Sequence, residues 1–255
     1  MSKYDFIIRN MVFSFSRVNA FHQCKYSWFL QYIKEVPRIG GWFGEYGSFG
    51  HDILEKYLKK ELSIFELADY YKKNYSKNVV SSPPPYPKGM AQKYYDDGLA
   101  YFEQFEGFGD LKVIGIESPI RFTTSDGFEI SGFLDLLVED VDGELILIDH
   151  KSSDPFKGND KPKDKKKIEE YKKQMYIYCS DIKNKYGKFP KELRLNFFKI
   201  QRIYTVPFNQ EEYEEAIIWI SQVIQEIIKE SEWKETRSDY FCKFLCSARS
   251  SCFKI

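Results

Sequence analysis

Two aspartates and a lysine give this chain its most reactive possibility. Asp135 follows Gly132-Phe133-Leu134, and Asp149 and Lys151 close the apolar run Glu144-Leu-Ile-Leu-Ile. Hard carboxylate oxygens suit Mg²⁺ or Mn²⁺, and carboxylates on adjacent strands can converge on one ion. Such an ion polarises a phosphate and lowers the pKa of its water. Lys151 lies two residues after Asp149 and so points to the same face of an extended strand, where its ammonium can orient the attacking water. The backbone carbonyl of His150 is a further candidate ligand. This is chemistry for phosphodiester hydrolysis. An isolated D-x-K also occurs at ordinary solvated strand ends, so the surrounding elements decide between the two.

Those elements read as follows. Ser16 opens a predicted helix to about Lys34, with Phe21, Cys24, Trp28 and Tyr32 on one face. The glycine-rich GGWFGEYGSFG leads into a second helix, HDILEKYLKKEL, and further helices are predicted over 64–75 and 90–105. Ser81 to Pro87 is a proline-rich extended loop. The pattern then changes to strands over 111–122, 128–139 and 144–149, separated by Ser125-Asp126-Gly127 and Asp140-Val-Asp-Gly143, which predicts a meander. A lysine-rich polar loop (152–166) precedes a helix over 167–186, and 193–207 is one long strand or a hairpin. Asn209 and Glu212 form a capping-box pattern for a last helix to about Ser231. This order predicts an α/β fold: a mixed sheet flanked by helices, with a helical arm from the N-terminal third. The expected organisation is a helical region (1–110), a core (111–208) and a C-terminal helix with a cysteine tail (209–255), all within one integrated domain.

The ordered set of motifs resembles the PD-(D/E)XK nuclease superfamily, and more closely its RecB-like branch. The branch shows G-x-x-D, an apolar strand ending D-x-K, then Q-x-x-x-Y on the next helix. Here these are Gly132/Asp135, Asp149/Lys151 and Gln174/Tyr178. Gly47-Ser-Phe-Gly50-His51 is similar to the branch's G-x-x-x-H motif. The resemblance implies a restriction-endonuclease-like core, with Asp135, Asp149, His51 and the His150 carbonyl as ligands to Mg²⁺ or Mn²⁺. It implies Lys151 as the group assisting water, and Gln174 and Tyr178 as a wall facing the DNA. Glu117 sits where the family often has an acid on the first core strand. The alternative place for Tyr178 is a core ring beside Tyr171 and Met175.

Five cysteines add a second theme. Cys242, Cys246 and Cys252 cluster in the tail, Cys24 stands alone on the first helix, and Cys179 follows Tyr178. Such clustering argues for a metal or cluster. One distant cysteine and three at the C-terminus resemble the iron–sulfur nucleases, among them the AddB nuclease domain and the CRISPR-associated RecB-like exonucleases. The resemblance implies a [4Fe–4S] cluster on Cys24, Cys242, Cys246 and Cys252, stapling the first helix to the tail. The tail spacing here is C-x₃-C-x₅-C, against the common C-x₂-C-x₅-C. Zn²⁺ on the same four thiols is the rival, and buried free thiols the bland alternative.

Composition bounds the rest. Of 255 residues, 43% are hydrophobic and 18% aromatic, enough for a sizeable core. Lys+Arg and Asp+Glu are both 38, which argues against a basic coat protein but not against an enzyme with a local basic groove. The lysine run that includes Lys165 and Lys166 is usually a solvated face, though beside a metal site it could contact DNA backbone. There is no membrane-length apolar run, no signal-peptide pattern and no phosphate-binding lysine loop of a helicase engine. The expectation is a cytoplasmic, stand-alone, metal-dependent DNA exonuclease acting on single-stranded ends. Recombination, repair, phage DNA processing or CRISPR adaptation would supply its partners. The alternative from another class is a non-catalytic DNA-end-binding subunit on the same fold.

Overall fold

Turn chemistry and alternation build the sheet. The computed structural model describes residues 3–236 and 238–252. Five strands, β1 (Lys112–Thr123), β2 (Glu129–Glu139), β3 (Leu145–Lys151), β4 (Glu192–Phe197) and β5 (Arg202–Pro207), form one sheet in chain order. Gly127 and Gly143 take left-handed φ values of 84° and 78° in the β1–β2 and β2–β3 turns, where a side chain would be strained. β1, β2 and β3 are therefore the expected antiparallel meander. β3 and β4 are parallel, which needs a crossover, and helix α7 (Lys165–Tyr186) supplies it. Leu145 to His150 are all buried, as suits a central strand covered on both faces. The segment 193–207 resolves as a hairpin: a 3₁₀ turn, Phe198–Ile200, and a left-handed Gln201 separate β4 from antiparallel β5.

The helices depart from expectation at four points. The single helix predicted from Ser16 is two helices, α2 (Phe15–Gln23) and α3 (Lys25–Tyr32), after a short α1 (Asp5–Arg9). The break falls at Cys24, which is extended (φ −163°) and caps α3 by accepting the Ser27 N–H on its thiol at 3.4 Å. Ser14, not Ser16, caps α2. The glycine-rich stretch is itself helical, so α4 runs Trp42–Leu58 rather than starting at His51. Its glycines serve close packing: a Cβ on Gly50 would lie 2.5 Å from the Phe198 ring, and one on Gly47 3.1 Å from Ser152 Oγ. α5 (Leu67–Asn78) and α6 (Met90–Glu103) follow. Before α8 (Gln210–Lys229), Asn209 accepts the Glu212 N–H, but the Glu212 carboxylate is held by Lys172 at 2.7 Å, so only half of the expected capping box forms.

Two cores result. The larger packs α1, α2, α3, α7 and α8 on one side of the sheet, through residues such as Trp28, Leu147, Met175, Leu195 and Ile224. The other packs α4, α5 and α6 together around Tyr46, Phe49, Tyr71 and Phe102, with Phe198 inserted from the sheet end. The first three helices thus belong to the sheet's own core, and α4–α6 form the arm. Phe13 adds a bridge to Ile130, which ties the N-terminal segment to β2. Among the described residues, no helix is long and apolar enough to cross a membrane.

Candidate active site

The acids converge because the sheet register places them in one row. Ile116 pairs with Leu136 and Ser118 with Leu134, so Glu117 faces Asp135. Asp149 faces Asp135 one step beyond the last β2–β3 pair, Leu136 with Ile148. Three carboxylates thus lie side by side on three neighbouring strands. Asp135 Oδ2 accepts the His150 N–H at 2.6 Å, which fixes its orientation. Glu117 has φ +44°, a left-handed backbone that a residue with a Cβ adopts at a cost of about 1–3 kcal/mol.

His51 reaches this row from α4. Gly47, Gly50 and His51 share one helix face, and the two glycines let that face lie against Ser152 and Phe198 at the ends of β3 and β4. The His51 Nε2–H donates to the His150 carbonyl at 2.9 Å, and Nδ1 faces Asp135 Oδ2, 3.6 Å away, so in the neutral tautomer Nδ1 carries the lone pair a metal would take. Ligand atoms of His51, Glu117 and Asp135 all lie within 4.8 Å of one another. The His150 carbonyl is present at the site as the acceptor that orients His51. Its ring turns away, buried, with Nδ1 3.0 Å from Asn196 Nδ2 and its face stacked on Phe108. Burial, and then the neighbouring His51, pull that ring down to a pKa of about 3, so it is neutral at physiological pH.

Asp149 and Lys151 form a buried ion pair. Burial pulls the Lys151 ammonium down, but Asp149 and Asp135 outweigh it, and its pKa rises above the ordinary lysine value. Lys151 Nζ also donates to Gln174 Oε1 at 3.1 Å and lies 4.6 Å from the centre of the Tyr171 ring. Gln174 Nε2 in turn donates to the Tyr178 hydroxyl at 3.0 Å. A Cβ on Gly132 would sit 3.1 Å from the Tyr178 ring, so the glycine three residues before Asp135 makes room for it. Tyr178 is both a core ring, 6% exposed, and a neighbour of the acids. Gly132, Lys151, Gln174 and Tyr178 therefore form one connected wall.

The electrostatics match a divalent cation. Burial and then the charge on Asp135 push the Glu117 carboxyl up to about 7, with Glu55 and Asp149 adding to the effect. The row has more carboxylates than the one ammonium of Lys151 can balance. A hard cation among His51, Glu117 and Asp135 would offset that repulsion, and the oxygen and imidazole donors are those that Mg²⁺ and Mn²⁺ accept.

Other expected residues lie elsewhere. Lys165 and Lys166 are exposed in the first turn of α7, about two turns before Gln174. Lys166 lines a groove with His22, Lys173 and Trp219, on the α2–α8 side. Cys24, Cys242, Cys246 and Cys252 line a single cavity with Ser27 and Leu30, although they come from opposite ends of the chain. Cys179 is fully buried in α7 and apart from them. Sequence reasoning missed Phe198, whose ring stands against Gly50 and 6.3 Å from the His51 ring, and Tyr171 as the surface under Lys151. The glycine before His51 was the available signal for the first, because a helical glycine there implies a close neighbour. Nothing local signalled the second.

Among solved structures, the chain is similar to that of a "Putative exonuclease" from Eubacterium rectale. The two align over 98% of this chain and 91% of that one, at 11% identity and a TM-score of 0.55, which shows a shared fold. The structure of SSO0001 aligns over 81% of this chain and 96% of its own, at 16% identity and a TM-score of 0.37, too loosely to carry an argument. No curated protein matches the sequence. The profile of the PD-(D/E)XK nuclease superfamily matches residues 12–253, from the residues before α2 to beyond the last cysteine, and the chain belongs to that superfamily.

Proposed function

We propose that this nuclease-superfamily chain is a metal-dependent DNA exonuclease of the RecB-like branch, acting on single-stranded ends. The observation that carries the reading is the grouping of His51, Glu117 and Asp135 within 4.8 Å beside the Asp149–Lys151 pair. His51, Asp135, Asp149 and Glu117 would hold Mg²⁺ or Mn²⁺, with the His150 carbonyl fixing the His51 tautomer. The ion would polarise the scissile phosphate and acidify its water. Lys151, kept protonated by Asp149, donates hydrogen bonds to the water or to a phosphate oxygen. Gln174 holds Lys151 in place and, with Tyr178, lines the side of the site along which the strand would pass. Lys165 and Lys166 would contact backbone farther along α7. The motif order supports the branch. The division at residues 110 and 208 is read as regions of one domain in a cytoplasmic enzyme of recombination, repair, phage DNA processing or CRISPR adaptation.

The four tail and helix thiols are read as the ligands of a [4Fe–4S] cluster. Tetrahedral zinc at about 2.3 Å from each sulfur brings thiols to within about 3.8 Å of one another. Among the described residues no three of these four thiols lie within 4.8 Å of one another, so the reading rests on the shared cavity and on the resemblance in cysteine order. Iron and sulfide in stoichiometric amounts in anaerobically purified protein would support this reading, and stoichiometric zinc without iron would refute it.

The deciding experiment is incubation with end-labelled single- and double-stranded DNA and Mn²⁺. Stepwise shortening of the single strand is expected. Asp149→Asn and Lys151→Met should each lower the rate at least about 100-fold while the far-UV circular dichroism spectrum is unchanged. DNA binding without cleavage by the wild-type chain would instead make it a non-catalytic end-binding subunit.

A further inference from the structure

Lys199 combines burial with the lack of an acidic partner. It follows β4 in the 3₁₀ turn, two residues beyond Phe197, which pairs with Lys151. It therefore lies at the same end of the sheet as the acid row. The residue is only 9% exposed, yet among the described residues no carboxylate lies within salt-bridge distance of its ammonium and no hydrogen bond engages it. Its ammonium lies over the Tyr94 ring, whose centre is 3.9 Å from Nζ. Burial pulls its pKa below the ordinary lysine value, while Asp97 and Asp154 act at longer range in the other direction. The side chain is packed while no protein anion engages the ammonium, which leaves it free to take an anion from outside the chain.

Aromatic rings continue outward from that point. Tyr94 is 5.8 Å from Phe43, Phe43 is 6.5 Å from Tyr240, and Tyr240 is 5.3 Å from Phe244. Tyr240 is 45% exposed, and Phe43 and Phe244 are half-buried. The last two rings of this line flank the tail cysteine Cys242.

We propose that Lys199, seated on Tyr94, and the rings of Phe43 and Tyr240 form a path for single-stranded DNA, with Lys199 holding a backbone phosphate and the Phe43 and Tyr240 rings stacking unpaired bases. The path rests on the nuclease reading and deepens it, because it names the residues that select an unpaired strand. A duplex keeps its bases stacked inside and cannot use the rings, whereas every unpaired base offers a face to them. The phosphate supplies the anion that the Lys199 ammonium lacks.

The test measures binding of a fluorescent oligo-dT by the full chain in EDTA, where metal-dependent cleavage is off, against a closed dumbbell duplex. Tyr240→Ala is expected to weaken oligo-dT binding about tenfold and to leave duplex binding unchanged, while Tyr240→Phe binds like wild type. Lys199→Met should weaken oligo-dT binding about three- to tenfold and make the log–log salt dependence shallower by about 0.7, with Lys199→Arg restoring both. A Lys199→Met protein with a lowered melting temperature but unchanged affinity and salt slope would show a purely structural lysine and overturn the phosphate site. Unchanged affinity in Tyr240→Ala, or failure of the wild-type chain to bind oligo-dT, overturns the path. Cleavage with Mn²⁺ is assayed on the same preparations. Cleavage with unaffected binding in the variants removes the path alone, and the expected binding pattern without any cleavage removes the nuclease reading alone.

Discussion

Glu117 shows how a single side chain can report on the whole site. Its folded carboxyl titrates at about 7 against an ordinary 4.5, so between those values the native state binds more protons than the unfolded chain. Metal-free stability owed to this group is therefore present at low pH and lost as pH rises from about 4.5 to 7. Glu117→Gln imitates the protonated form, so the melting temperature of the metal-free wild type should fall relative to Glu117→Gln across that window. Added Mn²⁺ favours the carboxylate, so its stabilising effect on the wild type should grow with pH; a pH-independent effect would exclude Glu117 as a ligand. That Asp135, Asp149 and Lys151 would lie together at neighbouring strand ends was legible in the turn residues and the strand alternation, while their chemical reading also needed the resemblance in motif order. The pairing of Glu117 with Asp135 depends on register, and the tautomer of His51 depends on a carbonyl far away in the chain, so neither could be read locally.

Among the elements, α4 carries the most information. Its glycines read as a loop signal, yet the helix forms because tight packing against Ser152 and Phe198, just beyond β3 and β4, outweighs the weak helix propensity of glycine. Gly50→Ala would place a methyl group 2.5 Å from the buried Phe198 ring. The expected result is a loss of about 1–3 kcal/mol of stability and weaker Mn²⁺ binding, since the same displacement moves His51; urea denaturation and metal titration measure the two separately. Gly132→Ala makes the milder 3.1 Å contact with Tyr178 and should slow cleavage with little change in urea midpoint. The meander and the crossover helix followed from turn residues and periodicity. The break at Cys24 did not, because nothing in helical periodicity anticipates a thiol acting as a helix cap.

Across the whole molecule, the tail and the first helices hold each other. Ser247 Oγ donates to Gln31, the Arg249 guanidinium donates to the Gly40 carbonyl, and Cys24 and the tail cysteines share a cavity. If a cluster fills that cavity, its oxidative removal should lower the melting temperature and open a protease site near Tyr240. It should also weaken single-strand binding more than duplex binding; an unchanged digestion pattern would argue against a staple. The left-handed backbone at Glu117 has a different consequence. Glycine at that position would relieve backbone strain of about 1–3 kcal/mol and remove one of three crowded acids. Glu117→Gly should thus melt higher than wild type while losing metal affinity. Variants selected for thermostability alone would drift toward that substitution, so the strained carboxylate marks a place where durability and activity are exchanged.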